Sequence, residues 1–154
     1  ISTYPFKIVV SGRIKHFISA FGEHVIAKEV EEAMLVATSA TDGSVSEFTV
    51  APQITPQENE LPFHEWFIEF EKEPSNMTLF IKELDLALQK QNSYYYDLIV
   101  GKVLQTLKVT SVKSGGFLEY MKSIGKLGGQ NKVQRLSNDR KVVDGLSEFK
   151  KQNS

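Results

Sequence analysis

Phe63-His64-Glu65-Trp66-Phe67-Ile68-Glu69-Phe70-Glu71-Lys72 is the stretch from which the rest of the chain can be laid out. Phe63, Glu65, Phe67, Glu69 and Glu71 alternate with His64, Trp66, Ile68 and Phe70, a period of two with one largely apolar face and one mixed face. That pattern predicts a half-buried antiparallel strand. A second segment rich in strand formers, Val45 to Val50, lies upstream, separated from it by a polar acidic loop with Pro52, Pro56 and Pro62. Before that strand the period changes. From Ala27, the residues Val30, Ala33, Met34 and Ala37 fall at helical spacing, with Lys28, Glu29, Glu31 and Glu32 on the other face, and Thr41-Asp42-Gly43 ends the run in a turn. Earlier still, Phe6 to Val10 and His16 to Ala20 read as short strands of a hairpin, broken at Ser11-Gly12-Arg13, with a second break at Gly22-Glu23.

Downstream, Pro74-Ser75-Asn76 stops the strand and opens a helix whose stripe is Leu79, Phe80, Leu84, Ala87 and Leu88. Asn92-Ser93 caps a short helix through Ile99. Its Tyr94, Tyr95 and Tyr96 cannot all point one way, so packing is expected of them rather than base stacking. Leu107 to Val112 alternates as a strand, Gly115-Gly116 follows it, and Phe117 to Met121 is a short helix. Val142, Val143, Leu146 and Phe149 give a last helix its stripe. The sum is an α+β domain: a small, mainly antiparallel sheet with an N-terminal β-hairpin, covered by helices.

Composition narrows the function classes. At 154 residues the chain is one domain, and 41% apolar with 24% charged residues places it among ordinary globular proteins, not disordered or membrane ones. A formal charge of −1 does not suit a chain built to track polyanions. No apolar run is long enough to span a bilayer. The absence of cysteine removes disulfides, thiolate metal sites and a cysteine nucleophile, and fits a reducing compartment. Ile1-Ser2-Thr3-Tyr4-Pro5 has no initiator methionine and no signal stretch, so the expectation is a cytoplasmic protein of which this is a piece.

Reactive constellations are few. There is no phosphate-cradling loop, no dinucleotide-binding glycine pattern and no nucleophile elbow. His16, His24 and His64 lack the spacing of a metal site and read as polar strand or loop residues, so no metal ligand is expected. Glu65, Glu69 and Glu71 read as a solvated acidic rim. What remains is Gly128-Gly129-Gln130-Asn131-Lys132-Val133-Gln134-Arg135-Leu136. By itself this is a basic surface loop before a C-terminal helix capped by Ser137 or Asn138. The alternative is a mobile cation, with Gly128 and Gly129 freeing the backbone and Lys132 presented three residues beyond them.

Ser11-Gly12-Arg13-Ile14-Lys15-His16-Phe17-Ile18-Ser19-Ala20-Phe21-Gly22-Glu23-His24-Val25, leading to Lys28-Glu29-Val30-Glu31, resembles the hinge-and-hairpin motif of the adenylate-forming superfamily. The fuller resemblance is to its auxin-responsive, acyl-acid amido synthetase branch, the GH-three type, and to bacterial members of that branch. It is carried by Phe48-Thr49-Val50-Ala51-Pro52, by His64 to Lys72 and by Gly128 to Leu136, and it covers essentially the whole chain.

The resemblance implies that residues 1–154 are a single mobile C-terminal lid domain, with 1–26 as hinge and hairpin, of a ligase whose large N-terminal domain is absent from this chain. Such a ligase joins a carboxylic acid to adenylate and passes the acyl group to an amine, usually that of an amino acid. ATP and Mg would be bound mainly by the N-terminal domain, and the fragment alone would be inactive. Lys132 matches the lysine delivered to the adenylation site, Arg13 an arginine near the ATP ribose or phosphates, and Lys15 the hinge. Gly22 would let the hairpin tip approach the partner domain. The branch usually has proline where this chain has Gln134. Partners implied are the chain's own N-terminal domain and its acid and amino acid substrates, with no nucleic acid and no membrane. The competing reading is a stand-alone regulatory module, or a nucleic-acid-binding one resting on the basic tail Lys122, Lys126, Lys132, Arg135, Arg140, Lys141, Lys150 and Lys151.

Overall fold

The computed structural model describes residues 17–54, 56–125 and 133–151. A two-stranded hairpin comes first, with β1 (Phe17–Ile18) antiparallel to β2 (Val25–Ile26) around the turn that holds Gly22. The expected strand at Phe6 to Val10 lies outside the described residues. Helix α1 (Ala27–Thr41) follows directly. Its Val30, Ala33, Met34 and Ala37 are all buried, as their spacing predicts. Glu29 closes its first turn by accepting from the Ile26 N–H at 3.0 Å, and Asp42 ends it in the left-handed region, φ 54°.

Strands β3 (Ser44–Gln53) and β4 (Phe63–Lys72) pair antiparallel, with Val50 opposite Trp66. Helices α2 (Met77–Gln91) and α3 (Ser93–Val100) then carry the chain over to β5 (Lys108–Ser111), which joins β4 in parallel. Two helices supply the long crossover that a parallel ladder needs. Among the described residues the hairpin is an antiparallel sheet of its own, and the three-stranded sheet is mixed, antiparallel between β3 and β4 and parallel between β4 and β5. The chain closes with α4 (Gly116–Ser123), α5 (Lys141–Leu146) and a 3₁₀ turn (Ser147–Phe149).

The sheet is covered on both faces. Trp66 and Ile68 of β4 enter a core with α1, α2 and α3, while Phe67 between them enters a second core with Phe117, Tyr120, Val143 and Leu146. The half-buried strand expected from sequence is thus buried on both sides, because α4 and α5 fold back over its mixed face. Asn76 and Asn92 cap α2 and α3 by accepting from Leu79 N–H at 3.0 Å and Tyr95 N–H at 2.9 Å. The α2 stripe differs from expectation at one end: Leu79 is 37% exposed, and Asp85 is buried in its place. Tyr95 is buried, while Tyr94 and Tyr96 are exposed. Among the described residues no helix is long and apolar enough to cross a membrane.

Candidate functional site

Lys132, Gly128, Gly129, Arg13 and Lys15 lie outside the described residues. The two ends between which the lysine segment is strung are described, and so is the hairpin.

Downstream of Lys132, the main chain is fastened along the free edge of β3. The Val50 N–H donates to the Arg135 carbonyl at 2.8 Å, and the Ser137 N–H donates to the Val50 carbonyl at 3.0 Å. Thr49 Oγ1 donates to the Gln134 carbonyl at 2.5 Å. Val50 and Leu136 form a parallel bridge, a minimal further strand. Val133 and Leu136 are buried in the two cores on opposite faces of the sheet. The contact at Gln134 is made by its carbonyl, which the proline usual in the branch would also carry.

Side chains complete the fastening. The Arg135 guanidinium pairs with Glu47, reaches Glu31 of α1 at 3.3 Å and the Phe48 carbonyl at 3.1 Å, and lies 4.4 Å from the Phe48 ring centre. Arg140 pairs with Glu65 at 2.8 Å and donates to the Pro52 carbonyl at 3.3 Å. Asn138 accepts from the Ser19 N–H of the hairpin at 2.8 Å, and Asp139 accepts from the Lys141 N–H at 3.0 Å. Neither Ser137 nor Asn138 therefore caps the last helix as expected. Ser137 pairs with β3 and Asn138 with the hairpin, and Asp139 serves the helix start.

Upstream of the lysine segment stands α4. Its N-terminus is capped from β4: Glu69 accepts from the Gly115 N–H at 3.0 Å and the Phe117 N–H at 3.2 Å, placing a carboxylate on the positive end of the helix. Glu65 accepts from Thr110 Oγ1 at 2.7 Å besides holding Arg140. These two carboxylates are structural ties, not the solvated rim expected of them. Only Glu71, which accepts from Ser44 Oγ at 3.1 Å, is exposed.

The hairpin is locked from inside. Glu23 Oε2 and His64 Nε2 lie 2.6 Å apart, and both side chains are fully buried. The other Glu23 oxygen accepts from the Phe21 N–H at 2.8 Å. Asn92 Nδ2 donates to the carbonyls of Glu23 at 2.9 Å and His24 at 3.2 Å. Burial opposes the charged form of Glu23, but the hydrogen bond and charge of His64, with the N–H groups of Glu23 and Phe21, outweigh it and hold the carboxyl below its ordinary value. His64 was expected as a polar strand residue; it is an interior one. The signal was present in sequence, since a histidine on the apolar face beside Trp66 and Ile68 needs a buried partner. Gly22, at the hairpin turn, has φ +89°, and a Cβ there would meet nothing within 4 Å. The glycine serves the backbone conformation of the turn.

Fold and site together define an α+β domain with a locked hairpin, in which α4 and a stem fastened to the edge of β3 flank the glycine-lysine stretch of the sequence. The model of the GH3 family C-terminal domain matches residues 28–141, and the chain belongs to that family. Two solved structures share its fold. The AtGH3.15 acyl acid amido synthetase in complex with 2,4-DB aligns at a TM-score of 0.68 and 17% identity over 90% of this chain. A GH3.15 acyl acid amido synthetase aligns at 0.70 and 18% over 91%. This chain spans about a quarter of their length, 26% and 27%. No curated protein matches it by sequence.

Proposed function

We propose that the chain is the C-terminal lid domain of an ATP-dependent ligase that activates a carboxylic acid as its acyl-adenylate and transfers the acyl group to an amine, usually that of an amino acid. The observation that carries this reading is the family match, which runs through the Gly128 to Leu136 motif and therefore includes Lys132. Attack of a carboxylate on a phosphate joins two anions, and an ammonium held between them in a water-poor cleft offsets their repulsion. In this reading Lys132 is that ammonium, delivered by domain rotation. Lys15 is the hinge, Arg13 lies near the ribose or phosphates, Gly22 lets the hairpin tip approach the larger domain, and Gly128 and Gly129 free the loop.

ATP and Mg belong mainly to the larger domain. Within this chain, a cleft of about 430 Å3 is lined by Gln53, Phe63, Lys108, Arg140 and Lys150. Lys108 and Arg140 are already paired with Glu60 and Glu65, so the cleft offers a polyphosphate little. Among the described residues no group of three or more His, Asp or Glu side chains is placed to hold a metal ion. Three cations of the basic tail, Arg135, Arg140 and Lys151, are likewise answered by carboxylates, which weakens a polyanion footprint. The domain alone is inactive, and the ligase is cytoplasmic.

The test is ATP–pyrophosphate exchange by the full-length protein with acetate, octanoate, benzoate and phenylacetate, alongside Lys132→Ala. Exchange that depends on acid and falls roughly 10²–10³-fold in the variant is expected. Exchange indifferent to Lys132, or none with any acid, would overturn the proposal.

A further inference from the structure

We infer that Arg135 is a positioning residue for adenylation: its side chain pins the register in which the segment after Lys132 lies on β3, and so fixes the point from which that lysine is presented. The inference rests on the role proposed above for Lys132.

The main-chain attachment of this segment is short, two backbone hydrogen bonds around Val50 and one from Thr49 Oγ1. Backbone pairing of that length does not specify register, because a slip of two residues offers equivalent groups to the same edge. Side chains must choose. Arg135 is three residues beyond Lys132 and engages two elements at once: Glu47 and the Phe48 carbonyl on β3, and Glu31 on α1. Its guanidinium also lies over the Phe48 ring, which is itself stacked on the buried Trp66 at 5.6 Å. An isolated exposed ion pair holds little in place. A planar fork gripping two carboxylates and a carbonyl while stacked on a ring anchored in the core holds one geometry. With Arg135 removed, the stretch next to Lys132 keeps only the burial of Val133 and Leu136, the remaining side-chain ties, Asn138 to Ser19 and Arg140 to Glu65, lying further along the chain.

A displacement of about 1 Å at a catalytic group can cost up to about 10²-fold in rate. The experiment therefore separates the two half-reactions in the full-length enzyme. ATP–pyrophosphate exchange with the best acid of the panel measures adenylation. Consumption of that acid's pre-formed adenylate with a mixture of the common amino acids measures transfer, which does not need the lysine. Arg135→Ala is expected to lower the maximal exchange rate by about 10- to 100-fold, with the KM for ATP little changed and transfer unchanged. Arg135→Lys recovers only part, since a point charge cannot serve all three acceptors. Equal losses in both half-reactions together with a lowered Tm, or no loss in either, would overturn the positioning role. Exchange that survives Lys132→Ala would instead overturn the underlying reading, and that arm identifies which of the two has failed.

Discussion

The buried Glu23–His64 pair can be tested by taking it apart from each side. Among the described residues Glu23 is the sole hydrogen-bond partner of the imidazole, whose Nδ1 is buried with none. Glu23 by contrast keeps the Phe21 N–H when His64 is lost. His64→Leu therefore leaves a buried carboxylate without its counter-charge, a loss of about 3–5 kcal/mol. Glu23→Leu removes the carboxylate and leaves the ring without that hydrogen bond, about 1–3 kcal/mol. The double variant replaces both partners by apolar groups and should cost less than the two single losses added, with a coupling of about 2 kcal/mol. Urea denaturation at pH 7 measures all four chains.

The dependence on pH has a definite sign. Glu23 is held below its ordinary value of 4.5, so it binds fewer protons folded than unfolded as the pH falls. Its contribution is fully present above 4.5 and is lost as the pH drops through the lowered folded value. The acid limb of the stability curve should flatten in Glu23→Leu. His64→Leu should approach Glu23→Leu in stability toward pH 4, where the stranded carboxyl takes up a proton. A coupling below about 0.5 kcal/mol, or an acid limb unchanged in Glu23→Leu, would refute the account of the pair as a buried, charge-assisted lock.

Other predictions concern the helices that cover the second face of the sheet. Glu69→Ala removes the acceptor of two N–H groups at the start of α4 and should lower stability by about 1–2 kcal/mol, read as a shift in urea midpoint with an unchanged slope. Gly145→Ala puts a Cβ 2.5 Å from Tyr120 Cε1, in a site where Tyr120 is 6% exposed. It should cost about 1–3 kcal/mol despite the better helix propensity of alanine. A stabilised Gly145→Ala chain would mean that α5 does not pack against Tyr120 as described.

Much of the fold was legible because local periodicity decides it. The apolar spacing of α1 needs no distant partner to be read, and Asn76 and Asn92 announce the helices they cap. The misreadings share one cause, that a polar side chain does not declare in sequence who will face it. Asp85 falls on the buried side of α2 because Tyr95 Oη donates to it at 2.5 Å and the Leu107 N–H at 3.2 Å, both from later in the chain. Asp85 in turn, after burial, raises the Tyr95 hydroxyl well above its ordinary value. Glu69 and a solvated glutamate look alike until α4 arrives to be capped. The covering of the mixed face of β4 was hidden for the same reason, since α4 and α5 return to it from more than forty residues away. Of the candidate site, Gly22 is where the hairpin turn requires it, and the rest of the expectation concerns residues outside the described ones.

The ties around the hairpin converge on one mechanical consequence. The turn between β1 and β2 is held to β4 through Glu23 and His64, to the start of α3 through Asn92, and to the stem after the lysine through Asn138 and Ser19. That stem is held in turn to β3 and α1 through Arg135, and to β4 through Arg140 and Glu65. Interior packing and these paired charges transmit displacement without taking it up. In the proposed rotation about Lys15, hairpin, sheet and lysine stem would then turn as one body. Loosening any one of these ties would cost precision at Val133, where the stem begins, before it cost the fold.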